Sequence, residues 1–294
     1  MEDKNIKSIV VSGGGHTFIT FYGVIKESKE KGFWNYENIE SLYGTSAGAM
    51  TCILIALNID DNILDNYLMK RPWDKVFNIN VDSFVTMVNS FGLFNKEKIY
   101  DFFGPLLDVK EFSRDITLKE FYEINKIHLN IYTTELNSFE YINLSHITHP
   151  DWKLIDAVYA SITLPLIFSP IFEENKCYID GGVLMDFAIS DCLEKHNENE
   201  IFAIKKKTSK LLDTIDSSSN IMTFTYTLLK KCIDKSIPKY NSNIKYIINI
   251  EGTPVTIEDI LKVTCSQELR YKMANEGRDA FNKFNVSCSG HKGF

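Results

Sequence analysis

Twice near its start the chain runs through one three-part pattern: an apolar stretch, a cluster of glycines, then a longer apolar stretch of helical character. Ile6 to Ser12 leads into Gly13-Gly14-Gly15, and His16 to Lys31 then carries Phe18, Ile19, Phe21, Tyr22, Val24 and Ile25 before Gly32. Ile39 to Tyr43 leads into Gly44-Thr45-Ser46-Ala47-Gly48, and an apolar run continues to Leu57. A strand that is apolar at every position is covered on both faces, and strands joined through helices lie parallel. Two such units in succession predict an α/β fold, a three-layer arrangement with a mainly parallel central sheet flanked by helices.

The second glycine cluster reads G-x-S-x-G. A sharp strand-to-helix turn needs small neighbours, so Gly44 and Gly48 let the Ser46 side chain project without backbone collision. Alone the pentapeptide is only moderately specific, since glycines flank serines in ordinary turns too.

Further strand candidates are His128 to Thr133, Glu140 to Leu144, Lys176 to Asp180, Ile201 to Lys205 and Ile244 to Ile250. Residues 60–125 read as helical and aromatic-rich, with breaks at Pro72, Gly92 and Gly104-Pro105. The aromatic residues from Phe77 to Phe94 could wall a cleft or pack a core. Asp213 to Asn220 reads as a polar surface loop. Thr256 to Phe284 reads as one amphipathic helix, with Leu261, Cys265, Leu269, Met273, Gly277 and Phe281 at intervals of four and a Thr256–Asp259 cap. No boundary is marked clearly, so the expectation is one domain over 1–294, with core motifs within 8–188 and strands and helices of 200–284 packing on the sheet.

The 294 residues are 44% hydrophobic and 13% aromatic, enough for a large core and unlike a disordered chain. With 32 basic and 39 acidic residues the net charge is −7, which argues against a nucleic-acid partner. Lys205-Lys206-Lys207 and Lys230-Lys231 read as solvated faces or helix ends, or as contacts with an anionic membrane surface. Six cysteines without a C-x-x-C pair point to reduced thiols, not a disulfide framework or zinc site. No apolar run reaches the roughly 18 residues of a spanning helix, and no secretory signal is visible. The expectation is a cytoplasmic protein that meets membranes only from the surface.

Ester hydrolysis through a serine needs a nucleophile, a base and donors for the developing oxyanion. Gly13-Gly14-Gly15, between a strand and a helix, can turn consecutive N–H groups into one concavity. A dinucleotide loop would need glycine where Phe18 stands, and no G-K-[ST] follows. Two bases compete. His196 or His291 would complete the serine–acid–histidine order of an ordinary hydrolase triad. Asp180 instead ends a short strand and precedes Gly181-Gly182, the place where an α/β sheet presents chemistry. His146 and His149 could form a metal pair, but Pro150 follows and no third ligand stands close; satisfied loop positions fit them better. His16 could line the cleft.

The three segments in this order resemble the patatin-like phospholipases, which include the catalytic core of cytosolic phospholipases A2. The likeness runs from Ser8 to about Ala188, with weaker matches at Gly92-Leu93-Phe94, Ser161-Ile162-Thr163-Leu164-Pro165, Phe168 and Gly277. The resemblance implies Ser46 as nucleophile and Asp180 as base of a two-residue dyad. It implies Gly13, Gly14 and Gly15, with Ala47, as the oxyanion hole, and release of fatty acid from a lipid, a phospholipid at a membrane surface, without metal or organic cofactor. A weakly catalytic lipid-binding protein, or an acyltransferase using the same acyl-serine, are the other activities the scaffold allows. The sequence departs from the family where an Arg or Lys and then Gly usually follow the loop, here Thr17 and Phe18. It departs again after D-G-G, where Asp186 and Ala188 replace Asn and Pro.

Overall fold

A computed structural model describes residues 4–79, 81–208, 244–252 and 255–289, with isolated positions between 215 and 231. Strand β1 is Ser8–Val11, buried throughout. The glycine loop and a 3-10 turn, Gly15–Thr17, lead into α1, Phe18–Glu30. Strand β2, Ser41–Thr45, leads directly into α2, Ala47–Leu57. Ten of the eleven α2 residues are buried, as expected of a helix apolar on all sides.

The later strands are β3 (Gly92–Phe94), β4 (His128–Glu135), β5 (Glu140–Leu144), β6 (Leu166–Phe168), β7 (Ile171–Glu173), β8 (Lys176–Asp180), β9 (Ile201–Thr208) and β10 (Tyr246–Gly252). The main sheet runs β10-β9-β1-β2-β4-β8-β7, with β5 also on β4; β3 and β6 form a separate pair. β10, β9, β1, β2 and β4 are mutually parallel. β5 and β8 are antiparallel to β4, and β7 to β8. The α/β architecture with a mainly parallel sheet between helices is therefore as the glycine pattern predicts.

One detail of register places the site. On one edge β4 pairs β5 from Ile131 to Glu135. On its other edge it pairs β2 only as far as Tyr132, opposite Thr45. β8 pairs Thr133 to Glu135, a stretch whose first edge β5 already holds, so it occupies the edge that β2 vacates. Thr133 lies opposite Asp180. The carboxyl ends of β2 and β8 thus meet head to head, one register step apart. A Cβ on Gly181 would stand 3.0 Å from the Thr45 methyl, which locates the junction independently.

Two segments differ from their sequence reading. Gly104-Pro105 does not break a helix: Glu97–Val109 is continuous, with Pro105 inside it. Proline cannot bond the carbonyl four residues back, and here that carbonyl, of Asp101, instead accepts from Arg71 Nη1 at 2.9 Å. The C-terminal helix is two helices, Ile257–Cys265 and Gln267–Ser289. Ser266 is extended between them and its hydroxyl accepts from the Leu269 N–H at 3.1 Å, capping the second. The break turns Cys265 to solvent, whereas Met273, Gly277 and Phe281 stay buried. Of the expected loop Asp213 to Asn220, residues 213, 214, 218 and 220 lie outside the described residues.

The Gln267–Ser289 helix packs on α1 through two close approaches. A Cβ on Gly277 would strike the Thr20 carbonyl, and one on Gly23 would strike the Ala274 carbonyl. Arg270, buried, bonds the carbonyls of Met69, Arg71, Val263 and Thr264. It ties the C-terminal helices to the segment after α2. Phe77, Phe94 and Phe168 pack edge-on and tilted in the core, ring centroids 5.6 Å apart for each neighbouring pair, so these three aromatics are packing residues.

Candidate active site

Ser46 stands between β2 and α2 with φ 52° and ψ −121°, a conformation rare for any residue with a side chain. Such strain typically costs about 1–3 kcal/mol and persists only where the surroundings impose it. Here the start of α2 is pressed onto the sheet. A Cβ on Gly48 would strike the Val11 carbonyl, and one on Gly44 would lie 2.6 Å from the Gly48 carbonyl oxygen. The Ser46 N–H donates to Ser161 Oγ at 2.8 Å, and the Ser161 hydroxyl donates to the Tyr132 carbonyl at 2.5 Å. The backbone of the elbow is thereby bolted to the helix Leu154–Ile162 and to β4.

The Ser46 hydroxyl donates to Asp180 Oδ2 at 2.7 Å, while Asp180 Oδ1 accepts the Gly182 N–H at 2.7 Å. The Asp180 N–H in turn donates to the Thr163 carbonyl at 3.1 Å. Ser46 is 8% and Asp180 5% exposed, so the pair is nearly closed to bulk water. Burial raises the Asp180 carboxyl from 3.8 to about 7; bonds from Ser46 and Gly182 oppose the rise, and the charge of Asp186 adds to it. A buried carboxylate that holds its proton as tightly as an imidazole is a far better base than an exposed one.

The glycine loop sits against this pair, with the Cβ position of Gly13 3.7 Å from Ser46 Cβ. The Gly13 N–H donates to the Asp186 carbonyl at 2.9 Å. That bond engages the Gly13 N–H within the fold and ties the loop to the segment after β8; Ala47 opens α2 directly after Ser46. Gly15 has φ +54°, and Val255 covers its α-carbon. Gly182 acts on Asp180 itself.

The histidine alternatives lie elsewhere. His196 Nε2 bonds Ser41 Oγ at 2.6 Å, at the opposite end of β2 from Ser46. His291 is outside the described residues. His146 stacks on Tyr122 at 3.7 Å and His149 Nδ1 bonds Thr148 Oγ1 at 3.0 Å. Among the described residues no group of three or more histidine, cysteine or acidic side chains is placed to hold a metal. His16, beside the loop, is pushed down to about 4 by burial, reinforced by the Lys206 charge and opposed by Asp259.

Three residues around the Ser46–Asp180 pair escape a motif reading. Ser161 and Thr163 hold Ser46 and Asp180 by the backbone N–H groups of those two residues, and only the weak likeness of the 161–165 segment points to them. Lys206, read above as part of a solvated basic cluster, belongs to β9, and its Nζ donates to the Gly14 carbonyl at 3.1 Å.

The sequence pattern of the patatin-like phospholipases matches residues 9–193, more than half of the chain. The chain belongs to the patatin-like phospholipase family. Among individual relatives, "Probable lipid hydrolase 463L" of Invertebrate iridescent virus 6 is 28% identical over 214 residues, 72% of this chain and 70% of the relative. "Uncharacterized protein R571" of Acanthamoeba polyphaga mimivirus is 26% identical over 264 residues, 83% of this chain and 86% of the relative. VipD from Legionella pneumophila superposes with a TM-score of 0.56 at 17% identity, covering 96% of this chain and 67% of VipD, a likeness of fold. Among the described residues no helix is long and apolar enough to cross a membrane.

Proposed function

We propose that this patatin-like protein is a lipid acyl hydrolase, cleaving fatty-acyl esters of glycerolipids in a phospholipase A-type reaction. The observation that carries the reading is the 2.7 Å bond from the strained Ser46 hydroxyl to the buried Asp180 carboxylate. Family membership supports a lipid substrate, and the name of the iridescent-virus relative agrees with it.

In the proposed reaction Ser46 Oγ attacks the acyl carbonyl while Asp180 Oδ2 takes its proton. The carbonyl π pair moves onto oxygen, and that oxyanion is held by the N–H groups of Gly14 and Gly15, with Ala47. Collapse expels the alcohol or lysolipid, which takes the proton back from Asp180, and leaves acyl-Ser46. Water then attacks the acyl carbon, gives its proton to Asp180, and the fatty acid departs as Ser46 is reprotonated. Each oxyanion donor is typically worth about 3 kcal/mol of barrier. Besides substrate and water, the reaction as written uses side chains and backbone groups of this chain.

Fatty-acid release from phospholipid, galactolipid and neutral-ester vesicles or micelles tests the proposal. Wild type is expected to release fatty acid, and Ser46→Ala and Asp180→Asn each to lower the rate by at least roughly a thousandfold. Equal release by all three proteins would remove the dyad from the mechanism.

A further inference from the structure

Oxyanion donors are useful only if their peptide planes are turned the right way, and two groups around the glycine loop set those planes. Ser12 Oγ donates to the Gly13 carbonyl at 3.0 Å and itself accepts the Lys206 N–H, from β9, at 2.8 Å. Lys206 Nζ donates to the Gly14 carbonyl at 3.1 Å, where the Thr17 N–H also donates at 3.2 Å. Both carbonyls are therefore engaged by groups tied to β9. A trans peptide points its N–H opposite to its C=O, and no described peptide is cis. Holding the Gly13 carbonyl orients the Gly14 N–H, and holding the Gly14 carbonyl orients the Gly15 N–H. In the sheet β9 lies on one side of β1, and β2, which ends at Ser46, lies on the other.

We propose that Ser12 and Lys206 are positioning residues that hold the Gly13 and Gly14 carbonyls toward β9 and so turn the Gly14 and Gly15 N–H groups toward the acyl oxygen at Ser46. This rests on the esterase reading of Ser46 and Asp180. The path of the lysine is built into the fold. A Cβ on Gly252 of β10 would stand 2.6 Å from Lys206 Cε, so the absence of a side chain there gives the stem its channel. Ser12 is fully buried, with its hydroxyl used as both donor and acceptor. The cation gives a second benefit: its charge lies one peptide away from the developing oxyanion, where it lowers the cost of negative charge. The loop itself continues with Thr17 and Phe18, so a cation at this place comes from a strand nearly two hundred positions on.

The test uses a neutral p-nitrophenyl ester, which carries no phosphate for a lysine to bind, together with backbone amide resonances. Lys206→Met is expected to lower kcat on this ester roughly tenfold with KM little changed, because the bond acts on the transition state. Lys206→Arg should recover most of the loss, and Ser12→Ala should lower kcat in the same way. In parallel, the Gly15 amide-nitrogen resonance should move in Lys206→Met and return in Lys206→Arg, a readout that needs no turnover. Unchanged kcat on the neutral ester, with a raised KM only on anionic phospholipid, would make Lys206 a headgroup ligand and overturn the proposal. An unmoved Gly15 resonance would overturn it as well. A wild type inactive on every ester would sink the hydrolase reading instead, and the resonance would still decide whether Lys206 sets the loop.

Discussion

Asp180 carries two opposed demands in one side chain. Burial pushes its carboxyl up to about 7, so the group proposed as base titrates near neutral pH. The rate constant kcat/KM for a neutral ester is expected to rise with pH through a single ionisation near 7 and then level, since only the carboxylate can take the Ser46 proton. A profile flat from pH 5 to 9 would remove Asp180 from that role. Stability runs the other way. The folded value lies above the ordinary 3.8, so the associated stability is complete below that value and is lost as pH rises through about 7. Asp180→Asn, which cannot ionise, should therefore melt higher than wild type at pH 8, by as much as about 4 kcal/mol, and show a much smaller gain at pH 4. Thermal unfolding at the two pH values measures this; a uniform gain at both would assign the effect to something other than charge burial.

At the scale of elements, Ser46 and Asp180 meet because two strands share one edge of a third. β2 and β8 both pair with β4, and Thr45 and Asp180 stop at neighbouring steps of it. G-x-S-x-G was legible because the elbow is local: the glycines, the serine and the apolar helix are contiguous. Asp180 was legible as a strand end beside glycines, but its partner was not, since the Thr133–Asp180 pairing spans distant segments and short β8 carries no register signal of its own. Pro105 and Ser266 show the same limit. One is rescued by Arg71 and the other caps a new helix, and neither compensation is written nearby in the sequence. Ser161 is the element-level joint, holding the Ser46 N–H and the Tyr132 carbonyl together. Ser161→Ala leaves a buried N–H and carbonyl without that link, and should cost about 1–3 kcal/mol of stability. The same change should lower kcat by roughly tenfold or more with KM little affected, as the nucleophile loses its fixed aim. Urea unfolding together with ester kinetics would check both; wild-type kcat in a destabilised Ser161→Ala would confine Ser161 to folding.

Across the whole molecule, the first and last thirds of the chain are interlocked. β9 and β10 extend the sheet beyond β1, and the Gln267–Ser289 helix covers α1 through the Gly23 and Gly277 contacts. Gly277→Ala should therefore destabilise the fold by about 1–3 kcal/mol, because the added methyl meets the Thr20 carbonyl and backbone cannot swing aside. Lys272→Ala, exposed on the same helix, should stay within about 0.5 kcal/mol. Denaturant midpoints compare the two, and equal effects would contradict the close-packing account. The same interlocking carries Lys206 and Val255 to the glycine loop, so the site depends on segments outside the three motifs that reveal it. Covalent trapping tests the central claim most directly: incubate the protein with a fluorophosphonate and map the adduct by mass spectrometry. The account predicts one adduct, on Ser46, absent in Ser46→Ala and strongly slowed in Asp180→Asn. Failure of intact protein to label, or an adduct on another residue with Ser46 unmodified, would contradict it.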